Sequence, residues 1–143
     1  MLVRERLVVT DADQHRLRQM IASVGESLPT IGDPFHSYLR ALENQLAQSS
    51  VVPASDVGPE VVTMNSRIRV HELDTGKRRA LTLVYPDDAD AYGEKASVLT
   101  PQGASLLGAR VGDIVEWTAR RGPRRVWIEK IQFQPEAAGE FDL

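Results

Sequence analysis

Several residue types and patterns are missing from this 143-residue chain. It has no cysteine, which excludes disulfide frameworks, cysteine-ligated zinc sites and thiol nucleophiles. No apolar run approaches the roughly 18 residues that a membrane-spanning helix needs, and the charged first ten residues do not resemble a secretion signal. A formal net charge of only −3 disfavours a dedicated binder of duplex DNA. We therefore expect a soluble cytoplasmic protein with no membrane partner and no direct specific DNA binding.

The amino-terminal third has the pattern of two short helices. Asp11 is a candidate N-cap with Gln14 three positions later, and Gly25 is a candidate helix end. Asp33 is a candidate N-cap for a second helix that Pro34 opens. Apolar residues recur at helical spacing in both segments: Leu17, Met20, Ile21 and Val24, then Phe35, Tyr38, Leu39, Leu42 and Leu46. This predicts an antiparallel helical hairpin, a short coiled coil, over residues 1–48.

The remainder changes from helical to strand-like patterning. Residues 49–60 contain two prolines and no periodicity, which predicts a linker. Alternating and β-branched residues predict strands at 61–73, 79–85, 96–99, 114–118 and 125–133, with turns at 74–77 and 119–124. Thr100 and Pro101 predict the start of one short helix that ends at Gly108, and an acidic tail begins at Pro135. The predicted fold class is α+β, with the helical hairpin followed by an antiparallel sheet over one short helix in residues 61–143.

No pattern for catalysis or metal binding appears. The three histidines fall on different predicted elements, so no set of converging ligands is indicated. The acidic loop at 87–94 lacks the spacing of a calcium loop. The glycines at 103 and 108 lack the lysine and hydroxyl residue of a phosphate-binding loop. We expect no enzyme activity, catalytic residue, metal, cofactor or small-molecule substrate.

Charged clusters indicate interaction surfaces instead. Glu26 and Asp33 are the charged residues of the predicted hairpin tip, residues 25–33, although an N-cap role is the simpler interpretation of Asp33. A basic patch of four arginines lies within six positions: Arg120, Arg121, Arg124 and Arg125. Such a cluster is usually solvated turn surface, and contact with an acidic partner or a nucleic acid are the alternatives.

Five segments, taken together and in order, resemble the Gre-type transcription elongation factor family. They are VTMNS at 62–66, TLVYP at 82–86, SVLTP at 97–101, LLG at 106–108 and QPEAAG at 134–139. The resemblance covers essentially the whole second part of the chain. It implies an FKBP-like (FK506-binding-protein-like) carboxy-terminal fold behind a coiled coil. It also implies RNA polymerase as partner, approached at the secondary channel through which nucleotides enter.

The resemblance also implies which residues bind the polymerase. Thr100, Pro101, Leu106 and Leu107 fall in the stretch that docks on the polymerase in this family. Leu99 stands where cleavage factors commonly carry an aspartate.

The hairpin decides whether transcript cleavage is expected. Gre-type cleavage factors carry an Asp-x-x-Glu pair at the tip of a long hairpin, since carboxylates there help to hold a second metal ion at the polymerase centre. Here each predicted helix is only about 20 Å long, and the predicted tip, GESLPTIGD, has no such pair. We therefore predict a regulator that binds RNA polymerase and competes with Gre-type factors without stimulating cleavage. An active cleavage or elongation factor is the first alternative.

Two further alternatives depend on the carboxy-terminal part. A prolyl isomerase has a similar fold but needs a deep aromatic-lined pocket, whereas Trp117 and Trp127 are expected to face each other across adjacent strands as packing residues. Direct nucleic-acid binding through Arg120 to Arg125 predicts an affinity that falls steeply with salt.

Overall fold

The computed structural model describes residues 7–27, 34–90 and 94–141. The amino-terminal part holds strand β1 (Val8–Thr10), helix α1 (Asp11–Ser27), helix α2 (Pro34–Gln48) and strand β2 (Ser50–Val52). The two predicted helices are therefore present, and the two short strands next to them were not predicted. β1 and β2 form a separate parallel pair, with Val9 opposite Val51. β2 lies within the segment predicted as a linker.

The start of α1 differs in detail from its prediction. The Thr10 hydroxyl accepts a hydrogen bond from the Asp13 amide at 3.0 Å, so Thr10 is the N-cap. Asp11 instead accepts from the Ala54 amide at 3.1 Å, which ties the helix start to the segment after β2. The predicted N-cap Asp33 lies outside the described residues.

The carboxy-terminal part is a mixed five-stranded sheet with one helix. Its elements are β3 (Arg67–Glu72), β4 (Arg78–Val84), β5 (Lys95–Ser97), α3 (Pro101–Leu106), β6 (Ile114–Ala119) and β7 (Gly122–Phe133). The strand order is β5-β4-β3-β7-β6. β5 pairs with β4 in parallel, whereas the other neighbours are antiparallel. The α+β class is confirmed, and the prediction of a purely antiparallel sheet is wrong.

A single hydrophobic core joins both parts of the molecule. One face of the sheet, here called the inner face, contributes Ile68, Leu83 and Ile128, and α3 contributes Leu106. Side chains of α1 and α2 belong to the same cluster: Leu17, Ile21, Leu39, Leu42 and Leu46. The helical stripes recognised in the sequence thus bury themselves against the sheet domain as well as against each other.

Candidate functional site

Helix α3 is fixed at the end of β5 by its cap and by one glycine. The Thr100 hydroxyl accepts from the Gly103 amide at 3.1 Å and donates to the Ser97 carbonyl at 2.7 Å. This confirms Thr100 as the N-cap. Gly103 is required by close approach, since a Cβ there would lie only 1.9 Å from the Ser97 carbonyl oxygen. The cap and the glycine together hold the start of α3, with Pro101, at the protein surface.

Two of the residues that the family resemblance assigned to docking are inaccessible. Leu106 and Leu107 are both 0% exposed and belong to the hydrophobic core. A partner cannot touch them without unfolding this part of the domain. Their packing in the core holds α3 in place and so affects the surface only indirectly. Thr100 and Pro101, by contrast, are partly exposed.

A cavity of about 400 Å³ opens beside the start of α3. It brings Thr100 and Pro101 together with Arg120, residues that are far apart in the sequence. The remaining walls come from α2, the segment before β5, β5 itself, α3 and β6, and include Tyr38, Asp90, Lys95, Gln102 and Trp117.

A second cavity, of about 250 Å³, continues from the first. The two share Gln102, Trp117 and Ala119, and we call them together the α3 groove. Residues of the buried inner face line the second cavity: Val70, Leu81 and Val126. Charged residues also line it: Glu72, Asp74, Arg79, Arg124 and Arg125. Because Arg79 Nη1 lies 3.4 Å from Glu72 Oε1, those two charges are largely balanced, and Arg124 contributes positive charge.

The structure divides the predicted basic patch between different surfaces. Arg120 and Arg121 alone form the turn between β6 and β7, because Ala119 already pairs with Gly122. Arg124 and Arg125 belong to strand β7, which begins earlier than predicted. Successive strand residues point to opposite faces, so Arg124 shares the side of buried Val126 and Arg125 the other side.

The two tryptophans lie on opposite faces, so the prediction that they pack together is wrong. In the register Trp117 pairs with Arg124, and Trp127 pairs with Ile114. Trp117 packs against the core and lines the α3 groove, whereas Trp127 is 39% exposed. Trp117 was not predicted as a groove residue. The signal was available, since Trp117 is two positions after buried Val115 on the same strand.

Three of the family-like segments meet at the junction between α1 and the sheet domain. Asp13 Oδ2 accepts from the Met64 amide at 3.0 Å, and the Thr63 hydroxyl donates to Glu136 at 2.7 Å. These contacts join α1 to the segments at 62–66 and 134–139. The segment at 82–86 contributes Tyr85, whose buried hydroxyl is next to this cluster.

Burial controls the ionisation of this junction. Loss of hydration raises the pKa of Asp13 to about 6, which outweighs the opposing effect of the hydrogen bond from the Met64 amide. Burial likewise raises the pKa of Tyr85, and the neighbouring Asp13 carboxylate adds to that effect. These segments therefore attach the helices to the sheet domain, rather than forming the α3 groove.

Asp33 and the side chain of Glu26 lie outside the described residues. Within the described ranges, no group of three or more histidine or acidic side chains is placed to hold a metal ion. In the same ranges no helix combines the length and apolarity needed to cross a membrane.

Comparison with known proteins finds relatives for nearly the whole chain. Residues 57–133, more than half of the chain, match the family described as "Transcription elongation factor, GreA/GreB, C-term". The chain is 32% identical to the "Regulator of nucleoside diphosphate kinase" of Escherichia coli strain K12 over 98% of both proteins. It is also 34% identical to "Transcription elongation factor GreA" of Thermotoga neapolitana, over 66% of this chain and 60% of that protein.

A solved structure supports the same relationship. The GreA/GreB transcription elongation factor from Nitrosomonas europaea is 35% identical and superposes with a TM-score of 0.69, over 91% of this chain and all of that one. The match to the Escherichia coli protein and this superposition both extend beyond the sheet domain into the helical part. The resemblance first suggested by the five short segments is confirmed, and the chain belongs to the GreA/GreB family of transcription factors.

Proposed function

We propose that this protein is a bacterial transcription regulator that binds RNA polymerase near its secondary channel and competes there with Gre-type cleavage factors. The observation that carries the proposal is the α3 groove, in which Thr100 and Pro101 lie next to Arg120 and Trp117. Family membership supplies the partner, and the groove supplies a surface with the chemistry to bind it. The expected place of action is the cytoplasm, where the polymerase is.

The groove favours an acidic protein surface that carries a protruding apolar side chain. Arg120 and Arg121 at the β6–β7 turn and Arg124 in the second cavity give one side of the groove a positive charge. Trp117 offers a flat apolar wall between the two cavities. An aromatic or aliphatic anchor beside a tryptophan, with a charged rim around it, is a common arrangement in protein interfaces.

The helices support binding without cleavage. α1 has 17 residues and α2 has 15, which at 1.5 Å per residue gives lengths of only about 25 Å. The segment between them contains no Asp-x-x-Glu pair that could deliver two carboxylates to a metal ion. We therefore propose that the helices occupy the channel entrance and exclude a competing factor.

A competition experiment tests the docking surface. The full-length protein should co-purify with nucleic-acid-free core polymerase, and a Gre-type cleavage factor should displace it. Reversing two turn charges, Arg120→Glu with Arg121→Glu, should weaken binding by about 10-fold or more, since rim charges steer association. The matched control reverses two charges on the opposite sheet face, Arg69→Glu with Lys130→Glu, and should bind normally. Equal losses of polymerase affinity in both variants would show that the α3 groove is not the docking surface.

A second experiment tests the absence of cleavage. A backtracked polymerase complex incubated with the protein should keep its transcript intact, while a Gre-type cleavage factor in a parallel reaction shortens it. Adding both proteins should slow the shortening in proportion to this protein's concentration. Efficient cleavage by this protein alone would instead establish the alternative, an active cleavage factor.

Two related points follow from the same proposal. The name of the Escherichia coli relative suggests an effect on nucleoside diphosphate kinase levels, which we propose arises through transcription. A prolyl isomerase pocket would need an enclosed aromatic lining, whereas among the described residues Trp117 and Tyr38 are the aromatics that line the two cavities of the groove. A standard proline-peptide assay should therefore show no acceleration.

A further inference from the structure

The outer face of the five-stranded sheet, opposite the core, carries a concentration of positive charge. Strand alternation and exposure place six basic residues on it: Arg67, Arg69, Arg78, Lys95, Arg125 and Lys130. The acidic residues of the same strand face are Glu116 and Glu129. Since the whole chain has a formal charge of −3, this face is far more basic than the protein as a whole. Such local segregation indicates an anionic partner.

Two of these cations are placed directly against each other. Arg69 on β3 pairs with Lys130 on β7 in the register, and its neighbour on β4 is the uncharged Ala80. Like charges directly opposite on one sheet face are unfavourable. Glu129 is already occupied, with Arg78 at 2.8 Å and His71 at 3.7 Å. An anion bound between Arg69 and Lys130 would relieve the repulsion.

A partly exposed aromatic lies beside these cations. Trp127 is 39% exposed and lies in the sheet between His71 on β3 and Ile114 on β6. The His71 ring is 6.4 Å away and tilted by 47°, which supports the indole at one side. Ile114, itself 38% exposed, extends the apolar surface at the other side. A flat aromatic surface next to cations on an open sheet can stack an unpaired base.

We propose that the outer sheet face binds single-stranded nucleic acid, with a base stacked on Trp127 and backbone phosphates between Arg69 and Lys130. Stacking requires an unpaired base, so duplexes are excluded from the Trp127 contact. This is a different surface from Arg120 and Arg121, to which the sequence pattern pointed. It does not depend on the α3 groove, because Trp127 and Arg69 lie on the other side of the sheet.

Binding of the full-length protein to a fluorescent 12-nucleotide oligouridine, followed by anisotropy, tests the proposal. Trp127→Ala should weaken binding by about 10-fold or more, within the range measured for stacked aromatics, and Trp127→Phe should restore most of the affinity. Arg69→Gln with Lys130→Gln should weaken binding and reduce the slope of log affinity against log salt by about 1.4, for two phosphate contacts to a single strand. Unlabelled duplex of the same length should compete poorly.

The matched control, Arg120→Gln with Arg121→Gln, removes two charges from the β6–β7 turn. It should change the affinity for the oligouridine by no more than about 2-fold, because it alters only the overall electrostatic potential of the protein. Several results would overturn the proposal: no binding of the oligouridine, an unchanged affinity for Trp127→Ala, or an equal loss in the control variant. Polyglutamate that displaces the RNA and binds independently of Trp127 would instead assign the face to an acidic protein. If Trp127→Ala fails to fold, the Trp127→Phe and double-glutamine variants still decide the matter.

Discussion

The two faces of the five-stranded sheet are built from the same strands but differ in burial and charge. On the inner face, Ile68, Val70 and Ile128 are fully buried and pack against α3 and the two long helices. On the outer face, the alternate residues Arg69 and Trp127 are exposed to solvent. The inner face therefore determines stability through packing, and the outer face is free to vary its charge. This difference separates mutations that should unfold the protein from those that should only alter binding.

The largest expected effect is on the inner face. Leu106→Ala removes a side chain that is 0% exposed, and should lower the free energy of unfolding by about 2–5 kcal/mol through lost burial and a residual cavity. Arg69→Ala on the outer face should change it by no more than about 0.5 kcal/mol. Urea denaturation of both variants measures the contrast. Similar losses would mean that the outer face is also packed against something.

The second prediction concerns Asp13, where the helices join the core. Burial raises its pKa from 3.8 to about 6, so the folded state holds the proton more tightly than the unfolded chain does. The resulting stabilisation is present at low pH and is lost as the pH rises from about 4 to about 6. The difference between the two pKa values corresponds to a contribution of about 3 kcal/mol to the free energy of unfolding.

Asp13→Asn cannot ionise and separates this effect from other titrations. Between pH 4 and pH 7, the unfolding free energy of the variant relative to the native protein should shift by about 2.4 kcal/mol in favour of the variant. Denaturation of both proteins at a series of pH values measures it. A difference that stays constant with pH would show that Asp13 is not desolvated as the structure indicates.

The third prediction compares two glycines. Gly103→Ala should lower the free energy of unfolding by about 1–3 kcal/mol, because the new methyl group collides with the Ser97 carbonyl and displaces α3. Gly25→Ala, within α1, meets no atom of the described residues within 4 Å and should raise stability by up to about 1 kcal/mol. Thermal denaturation should therefore show a lower Tm for Gly103→Ala and a higher Tm for Gly25→Ala than for the native protein. Losses in both would indicate that Gly25 also has a packing role.

The smallest effect is expected on the outer face. Arg78→Gln breaks the 2.8 Å contact with Glu129, but the Arg78 side chain is 61% exposed. Exposed ion pairs contribute about 0.2–1 kcal/mol at low ionic strength and less when salt screens them. The difference from the native protein should therefore shrink in 1 M salt. A loss above 2 kcal/mol that salt leaves unchanged would contradict the division between the two faces.

Local elements were predictable because their signals are local. The spacing of Leu39, Leu42 and Leu46 predicted α2, and Thr100 followed by Pro101 predicted the start of α3. The family-like segments were recognisable from their letters alone, although their shared role at the junction was not. Asn65 in VTMNS illustrates this, since its left-handed backbone, with φ of +65°, is visible only in the structure.

The errors concern pairing rather than element type. β5 has three residues, too few for a pattern that distinguishes parallel from antiparallel pairing. Trp117 and Trp127 were expected to face each other across β6 and β7, but the two-residue turn pairs Trp117 with Arg124 and so places the two tryptophans on opposite faces. In an antiparallel pair, the turn determines which residues stand opposite each other. The predicted turn was too long, so Arg124 was expected in the turn, whereas the structure places it in β7.

The helices, most of the strands, the absence of a carboxylate pair between the helices and the membership of a transcription factor family could all be read from the amino-acid sequence, since each depends on neighbouring residues or on matching letters. The burial of Leu106 and Leu107, and the groove shared by Thr100, Pro101, Trp117 and Arg120, became visible only in the folded chain. The same is true of Trp127, which is partly exposed beside basic residues on the opposite face of the sheet. Exposure and adjacency depend on how distant segments pack, and no local pattern contains that information.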